Sequence, residues 1–400
     1  MQGAMPYHLS LYLDLVRFAA AFVVVLSHAW PILFPGFPLH WPGPAAVIVF
    51  FVLSGYVIAY VTDTRDRGLA DYTLDRLSRL WSVALPALGF GMVLASFVNQ
   101  SVFMPELADA DATLRTTANA LFVAQLWFLD FAPPLNGPFW SLNYEAWFYA
   151  IFGAWTYLPR ASRAIAAIFL SLVAGPKILL LMPCWLLGVF LYRAIPRRRV
   201  SEKTAVLLWM CSLVAAALLV KTAVPTKLHD VFLSRSPQTA ALLAYSGSPL
   251  TDYALAVLVA VNFYATAHMA WLRRIFLPLA RPIRLMASFT LTTYLFHLPL
   301  LVLFWDVLHT PSWVCLLALT GSIIVIGSLS EHRRRKLRAL LAIIVTRPLA
   351  GLSSPPAGME HAATPEPVGL REANLLEPEF VQHGFDAATV RSPPVRRVVP

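Results

Sequence analysis

Charged residues are scarce in this sequence of 400 residues: Asp, Glu, Lys and Arg together make up 13%, whereas 58% of the residues are hydrophobic. Because a soluble domain carries roughly a quarter charged residues, this composition excludes an ordinary soluble fold. The apolar residues come in runs of about 20, the length that crosses a bilayer as a helix. Lipid satisfies no backbone polar group, so such runs must be helical. The sequence therefore predicts an all-α, polytopic integral membrane protein.

Cysteine is also rare, and its spacing excludes the common metal motifs. Cys184, Cys211 and Cys315 all lie in apolar segments without a CxxC pattern, which predicts packing residues and no metal site. The net charge of +10 does not indicate nucleic-acid binding, because Lys and Arg in cytoplasmic loops set membrane topology. No cleavable signal peptide is expected, since the first apolar run is long and lacks a small-residue cleavage site.

Ten membrane-spanning helices are predicted. They cover about residues 9–33, 44–62, 79–98, 141–158, 161–174, 177–194, 204–222, 250–270, 286–306 and 311–329. A further apolar stretch, 118–131, is followed by several Pro and Gly residues and is interpreted as re-entrant or interfacial. With the N-terminus in the cytoplasm, the inner loops hold 21 Lys and Arg residues and the outer loops hold 5. This bias indicates an even number of spans and two cytoplasmic termini.

The chain divides into three predicted segments. Residues 1–330 form the transmembrane domain, and no internal repeat is evident in it, which argues weakly against an inverted-repeat transporter. Residues 331–350 are basic and then apolar, which suits an amphipathic helix on the anionic inner surface of the membrane. Residues 351–400 are Pro-rich and polar, which predicts a disordered cytoplasmic tail.

An arginine and a histidine interrupt the first apolar run, "LDLVRFAAAFVVVLSHAW". Arg17 and His28 are eleven residues apart, about 20° past three helical turns, so they share a helix face at a spacing of about 16 Å. Ionisable groups inside a membrane are costly and usually functional, although each could be a polar residue satisfied inside the bundle. Asp14, three residues before Arg17, can pair with it.

Two further polar clusters are predicted in the middle or outer part of the membrane. Glu145 lies about one turn below the outer surface, where it is either merely interfacial or part of a site for a sugar or lipid. The surrounding aromatic residues are Trp140, Tyr144, Trp147, Phe148 and Tyr149. Tyr294 and His297 share one face of a later helix, and for this histidine a structural role and a chemical role are both open.

Two smaller features lie in the second and third spans. Arg76 and Arg79 share a face at the cytoplasmic start of the third span, where they are either topology charges or an anion clamp, since Arg suits phosphate recognition. Ser54 and Gly55 lie inside the second span, where small residues allow close helix packing or close approach of a ligand to the backbone. A serine nucleophile is a further alternative that we do not favour.

The stretches that carry these residues resemble the motifs of acyltransferase family 3, a family of bacterial integral-membrane proteins. They are, in chain order, "LDLVRFAAAFVVVLSH", "FFVLSGYVI", "RLSRLW", "WSLNYEAWFY" and "SFTLTTYLFHLPLL". Any one motif is weak, but the five occur in the family's order over about residues 8–330. In this resemblance Glu145 takes the family's acidic position. The chain looks most similar to the single-domain exopolysaccharide acetyltransferases of the family.

The resemblance implies a ten-helix domain in the bacterial inner membrane that uses cytoplasmic acyl-CoA to O-acylate a carbohydrate or glycolipid acceptor. No cofactor is expected to be bound permanently, because acyl-CoA, most often acetyl-CoA, is a co-substrate. The expected partners are therefore acyl-CoA, the acceptor and the lipid bilayer, without nucleic acid.

A mechanism can be assigned to the residues on this basis. The phosphates of coenzyme A are expected to bind Arg17, Arg76 and Arg79, with Ser54 also in the acyl-CoA site. A pantetheine arm is of the order of the rise between Arg17 and His28, so the thioester reaches His28. His28 is then the general base, or the acyl carrier, with Glu145 as its orienting partner. The acceptor or the thioester carbonyl is expected to contact Trp140, Tyr144, Tyr149, Tyr294 and His297.

Two other classes of function remain open. A transporter of a glycan, lipid or acidic solute would use the same polar residues to bind cargo or relay protons, although the ordered motifs and the missing repeat argue against it. A membrane receptor with a signalling tail ranks third, because the tail contains no recognisable domain.

Overall fold

A computed structural model of the chain describes residues 5–37, 39–64, 68–98, 111–222, 234, 238, 242–330 and 334–350. Within these residues the fold is helical and contains no strand. The helices are α1 (Tyr7–Leu33), α2 (Gly43–Thr64), α3 (Leu69–Ala95), α4 (Ala112–Ala120), α5 (Trp140–Tyr157), α6 (Arg160–Ala174), α7 (Pro176–Ala194), α8 (Glu202–Lys221), α9 (Pro249–Ala267), α10 (Leu272–Phe276), α11 (Ala280–Ser288), α12 (Thr290–Leu301), α13 (Ser312–Ser330) and α14 (Arg334–Ala350). Helix α12 continues as a π-helix over Val302–Val307.

The helices confirm the predicted all-α, polytopic membrane fold. Eight candidate spans among the described residues are long and apolar enough to cross a bilayer: Tyr7–Leu33, Gly43–Thr64, Leu69–Ala95, Pro176–Arg197, Glu202–Lys221, Pro249–Ala267, Thr290–Val307 and Ser312–Ile344. The other two predicted spans correspond to α5 and α6. Helix α6 has only 15 residues, and α5 carries Asn143 and Glu145 in a sequence rich in Trp and Tyr. The count of ten and the cytoplasmic termini stay predictions.

Glycines bring α2 and α7 into direct contact. A Cβ atom on Gly55 would lie 1.9 Å from the carbonyl oxygen of Trp185, and one on Gly188 would lie 2.0 Å from that of Val52. No larger side chain fits at such distances, so the two backbones approach closely. The small residues of α2 therefore serve helix packing, and this contact sets Ser54 beside α7.

Helix α1 lies in the interior of the helical bundle. It packs against α2, α9, α10, α11 and α12. Its buried residues include Asp14 and Arg17, which are 2% and 7% exposed. Because α1 is surrounded on several sides, its polar residues face protein groups, as expected for ionisable residues in a membrane span.

The segment between α4 and α5 is held by a buried lysine. Lys177 at the start of α7 donates from Nζ to Gln125 Oε1 at 2.9 Å and to the carbonyl oxygen of Leu129 at 2.5 Å. Gln125 in turn donates to Asp130 at 2.6 Å. The stretch predicted to be re-entrant or interfacial therefore consists of the end of α4 followed by turns that are anchored to α7. Lys177 itself is fully buried.

Two remaining features concern the cysteines and the C-terminal tail. Cys184 and Cys315 are buried, whereas Cys211 on α8 is exposed and does not pack in the core.

Residues 351–400, predicted to form a disordered tail, lie outside the described residues. The predicted basic segment 331–350 corresponds to α14, which begins at Arg334 in the described part of the chain.

Candidate functional site

Two histidines from distant parts of the chain meet inside the bundle. The Nε2 atom of His297 on α12 lies 3.3 Å from the Nδ1 atom of His28 on α1. The centres of the two rings are 5.2 Å apart. Each histidine was a predicted site residue, but 269 residues separate them in sequence. The packing of α1 against α12 brings them together.

Backbone hydrogen bonds determine which nitrogen of each neutral ring carries the proton. His297 Nδ1 lies 2.8 Å from the carbonyl oxygen of Tyr294 and 3.2 Å from that of Thr293, so it donates. The His297 lone pair is then on Nε2, which faces His28. His28 Nδ1 lies 2.9 Å from the carbonyl oxygen of Val24 and is a donor as well. Neutral His28 therefore has its lone pair on Nε2, for which the described residues provide no hydrogen-bond partner.

This arrangement suits a general base. An imidazole takes up a proton efficiently when its other nitrogen is held by acceptors, because they fix the tautomer and stabilise the imidazolium. For His28 these acceptors are His297 and the carbonyl group of Val24. His297 thus occupies the orienting position that the sequence assigned to Glu145.

Glu145 lies in a second cluster, formed with α2 and α7. The hydroxyl groups of Ser54 and Tyr149 both donate to Glu145 Oε1. Trp185 donates from Nε1 to Ser54 Oγ at 3.2 Å. No hydrogen bond or ion pair joins Glu145 to His28 in the described part of the chain. The expected direct contact between them is therefore absent, because the Glu145 carboxylate is taken up by the neighbouring hydroxyl groups.

The three predicted anion-binding arginines are brought together near Tyr149. Arg17 and Arg76 are each 7% exposed. Arg17 interacts electrostatically with Arg79 and Tyr149, and Arg76 interacts with the same two residues. Because Tyr149 also donates to Glu145, it joins the arginine cluster to the Glu145 cluster.

A fourth arginine shares a counter-ion with this group. Asp14 lies 3.2 Å from Arg17, as its position three residues earlier predicted, and its other carboxylate oxygen binds Arg284 of α11. Arg284 also donates to Ser10 Oγ at 2.9 Å. One carboxylate between two guanidinium groups leaves a net positive charge, which favours an anionic ligand. Arg284 and Asp14 are 270 positions apart, so no local sequence signal predicts this contact.

Arg76 also lines an open groove between α2 and α3, which we call the α2–α3 groove. Its lining residues are Ile58, Val61, Thr62, Tyr72, Asp75, Arg76 and Tyr157. Within the described residues, Arg76 Nε and Thr62 Oγ1 are buried without a hydrogen-bond partner. Buried polar atoms almost always have a partner, so these two atoms can form hydrogen bonds with a polar group that enters the groove.

Two of the aromatic residues predicted to contact the acceptor are packed against a short turn. Trp140 stacks on Tyr245 with ring centres 4.3 Å apart. Tyr144 is fully buried, and its hydroxyl lies 3.0 Å from Ser246 Oγ. Burial raises the pKa of Tyr245 to about 12, so this tyrosine stays neutral at physiological pH. In this structure Trp140 and Tyr144 stabilise the wall of the bundle.

The hydroxyl of Tyr294 is likewise already engaged. It donates to the carbonyl oxygen of Pro138 at 2.8 Å and lies 2.7 Å from Ser141 Oγ. Asn136 adds a bond from Nδ2 to the carbonyl oxygen of Leu295 at 2.8 Å. These bonds attach α12 to the start of α5, so Tyr294 positions the helix that carries His297.

Comparisons with known proteins agree with the motifs. The model of a family described as an acyltransferase domain matches residues 10–331. The exopolysaccharide production protein ExoZ of Rhizobium meliloti (strain 1021) is 29% identical over 145 residues, which are 34% of this chain and 42% of that protein. The O-acetyl transferase of Shigella phage Sf6 is 28% identical over 179 residues, which are 42% of this chain and 52% of that protein. The chain thus spans about half the length of the curated relatives it matches. No solved structure matches it significantly.

Proposed function

Because this chain belongs to acyltransferase family 3, we propose that it is an O-acyltransferase of the bacterial inner membrane that uses acyl-CoA as the donor. The family match also confirms the resemblance seen in the five sequence motifs. The acceptor we propose is a hydroxyl group of a carbohydrate or glycolipid, and the acyl group is acetyl. The names of the two relatives, an exopolysaccharide production protein and an O-acetyl transferase, support this choice.

The contact between His28 and His297 carries the proposed mechanism. His28 Nε2 takes the proton of the acceptor hydroxyl while the hydroxyl oxygen attacks the thioester carbonyl. The new carbon–oxygen bond forms and the carbon–sulfur bond breaks. The departing coenzyme A thiolate then receives from His28 the proton that came from the acceptor. His297 Nε2 accepts the Nδ1–H of His28 throughout, which orients the ring and stabilises its protonated form. A second route, in which His28 Nε2 itself carries the acyl group, uses the same geometry.

The arginine cluster is proposed to hold the anionic end of acyl-CoA. Arg79 interacts electrostatically with both Arg17 and Arg76, and Arg guanidinium groups bind phosphate through paired hydrogen bonds. Arg17 and His28 lie on one face of α1 about 16 Å apart along the helix. A donor whose phosphates lie at the arginines can therefore present its thioester at His28. The excess of basic residues in the predicted inner loops supports a cytoplasmic donor.

Glu145 acts in this proposal through its neighbours. Its carboxylate accepts hydrogen bonds from Ser54 and Tyr149, and Tyr149 lies within the electrostatic reach of Arg17 and Arg76. Glu145 therefore keeps Tyr149 and Ser54 in place beside the arginine cluster. Ser54 acts as a hydrogen-bonding residue and is not assigned as a nucleophile.

Transfer of a radiolabelled acetyl group tests the proposal. Membrane vesicles with the full chain receive labelled acetyl-CoA together with extracts of host glycolipid and polysaccharide. We expect label in a carbohydrate fraction for the wild type and none for His28→Asn. The matched control is His309→Asn, because His309 is exposed in the connection between α12 and α13. Incorporation by His28→Asn at the wild-type rate would rule out His28 as the base, and solute flux without any acyl-CoA would favour a transporter.

A further inference from the structure

Helix α14 follows the matched family domain, which ends at residue 331, yet it is attached to the start of α3. Arg338 lies 2.5 Å from Asp75 through Nε and 2.7 Å from Asp71 through Nη2. Arg334 donates to the carbonyl oxygen of Asp75 at 3.1 Å. A guanidinium group thus bridges two carboxylates one helical turn apart, which attaches α14 to the beginning of α3.

Asp75 is a buried acidic residue next to Arg76 in the chain. It lines the α2–α3 groove, is 5% exposed and interacts electrostatically with Arg76. It also precedes Arg79 by four residues, the spacing at which opposite charges attract each other on a helix. A carboxylate that is not compensated at this place would compete with an anionic ligand for Arg76.

We infer that Arg338 is a positioning residue of the acyl-donor site: by binding Asp75, it keeps Arg76 available to an anionic group in the α2–α3 groove. The inference rests on the proposed function, since the anion is taken to belong to acyl-CoA. Arg338 does not touch this ligand and acts through Asp75. The buried Nε atom of Arg76, which has no hydrogen-bond partner among the described residues, is the atom made available.

A charge argument separates this role from simple attachment of α14. If Arg338 serves only to attach α14, then replacing Arg338 or replacing Asp75 weakens the binding of coenzyme A equally. Replacing both residues then brings no improvement. If Arg338 compensates Asp75, the harm in an Arg338 variant comes from the freed carboxylate. Removal of that carboxylate then restores the site, which is a coupling that a double-mutant cycle detects.

The experiment measures the binding of coenzyme A to the purified full-length protein in detergent, together with KM and kcat for acetyl transfer. For Arg338→Gln we expect Kd and KM to rise about fivefold, a change suited to one partly exposed ion pair, with kcat unchanged. Asp75→Asn alone should bind as well as the wild type or better. Arg338→Gln combined with Asp75→Asn should return to the wild-type Kd. Arg338→Lys keeps the positive charge but lacks the planar guanidinium group, so its Kd should lie between those of the wild type and Arg338→Gln.

The control variant is Arg335→Gln, which removes the same charge from the same helix at an exposed position. It should leave Kd, KM and the thermal unfolding temperature unchanged. Equal Kd values of the wild type and Arg338→Gln for coenzyme A would overturn this inference but leave the proposed function intact. A double variant as weak as Arg338→Gln would do the same. Failure of the wild type to bind coenzyme A at all would overturn the proposed donor as well, so the two failures are distinguishable.

Discussion

His297 Nε2 lies 3.3 Å from His28 Nδ1, and this contact joins the first long helix to α12. His297 is itself oriented by the carbonyl groups of Tyr294 and Thr293. The direction of donation therefore runs from His28 to His297 and then to the backbone. A chain of hydrogen bonds in this sense leaves one nitrogen of His28 for chemistry and makes His297 its orienting partner.

Replacing the orienting histidine should lower the rate of acyl transfer without weakening donor binding. For His297→Ala we expect kcat to fall about 10²-fold, because His28 loses one of the two acceptors of its Nδ1–H and keeps only the carbonyl group of Val24. KM for acetyl-CoA should stay close to the wild-type value, since the arginines are unchanged. Steady-state kinetics with His268→Ala as the control would check this. A rise in KM at constant kcat would instead make His297 a binding residue.

Truncation of Glu145 should destabilise the protein. Glu145→Ala leaves the hydroxyl groups of Ser54 and Tyr149 without their common acceptor, and we expect a loss of about 1–3 kcal/mol in the free energy of unfolding. Glu145→Gln keeps an acceptor oxygen and should lose less. Thermal unfolding of the two variants in detergent measures the difference. Equal unfolding temperatures for wild type and Glu145→Ala would contradict the assigned hydrogen bonds.

Loss of Arg17 should act on donor binding. Arg17→Ala removes one guanidinium group from the arginine cluster. We expect KM for acetyl-CoA to rise by roughly tenfold to a hundredfold, with a smaller change in kcat. A binding titration with coenzyme A gives the matching change in Kd. Arg281→Ala is the control, because Arg281 is an exposed arginine on the same helix as Arg284. An unchanged Kd for Arg17→Ala would remove Arg17 from the donor site.

The contact between α2 and α7 predicts which glycine tolerates a methyl group. A Cβ at position 188 would lie 2.0 Å from the carbonyl oxygen of Val52, so Gly188→Ala should cost about 1–3 kcal/mol through forced backbone movement. Gly89 of α3 has no atom within 4 Å of such a Cβ, and Gly89→Ala should be neutral or mildly stabilising. Unfolding temperatures of the two variants provide the comparison. Similar values would contradict close packing at Gly188.

The pairing of Asp14 with Arg17 could be predicted from the sequence because the two residues have the spacing of neighbours on a helix. Asp14 and Arg17 pair across one turn of α1 as predicted, since residues three apart are neighbours on a helix. By contrast, Glu145 was expected to orient His28 on the basis of the family resemblance, whereas the sequence itself placed Glu145 only in a layer of the membrane, about one turn below the outer surface. Within that layer the helix neighbours decide the contact, and for Glu145 they are α2 and α7.

By itself, the sequence determined the class of this protein and the polar residues inside it. Apolar runs of membrane length have no alternative to the helix in lipid, and the ordered motifs indicated the acyltransferase family. Only the tertiary structure decided which residues meet. His28 with His297, Asp14 with Arg284 and Asp75 with Arg338 are contacts between helices that lie far apart along the chain. Such contacts depend on how two helices pack against each other. This packing leaves no periodic signal in the sequence of either helix of a pair.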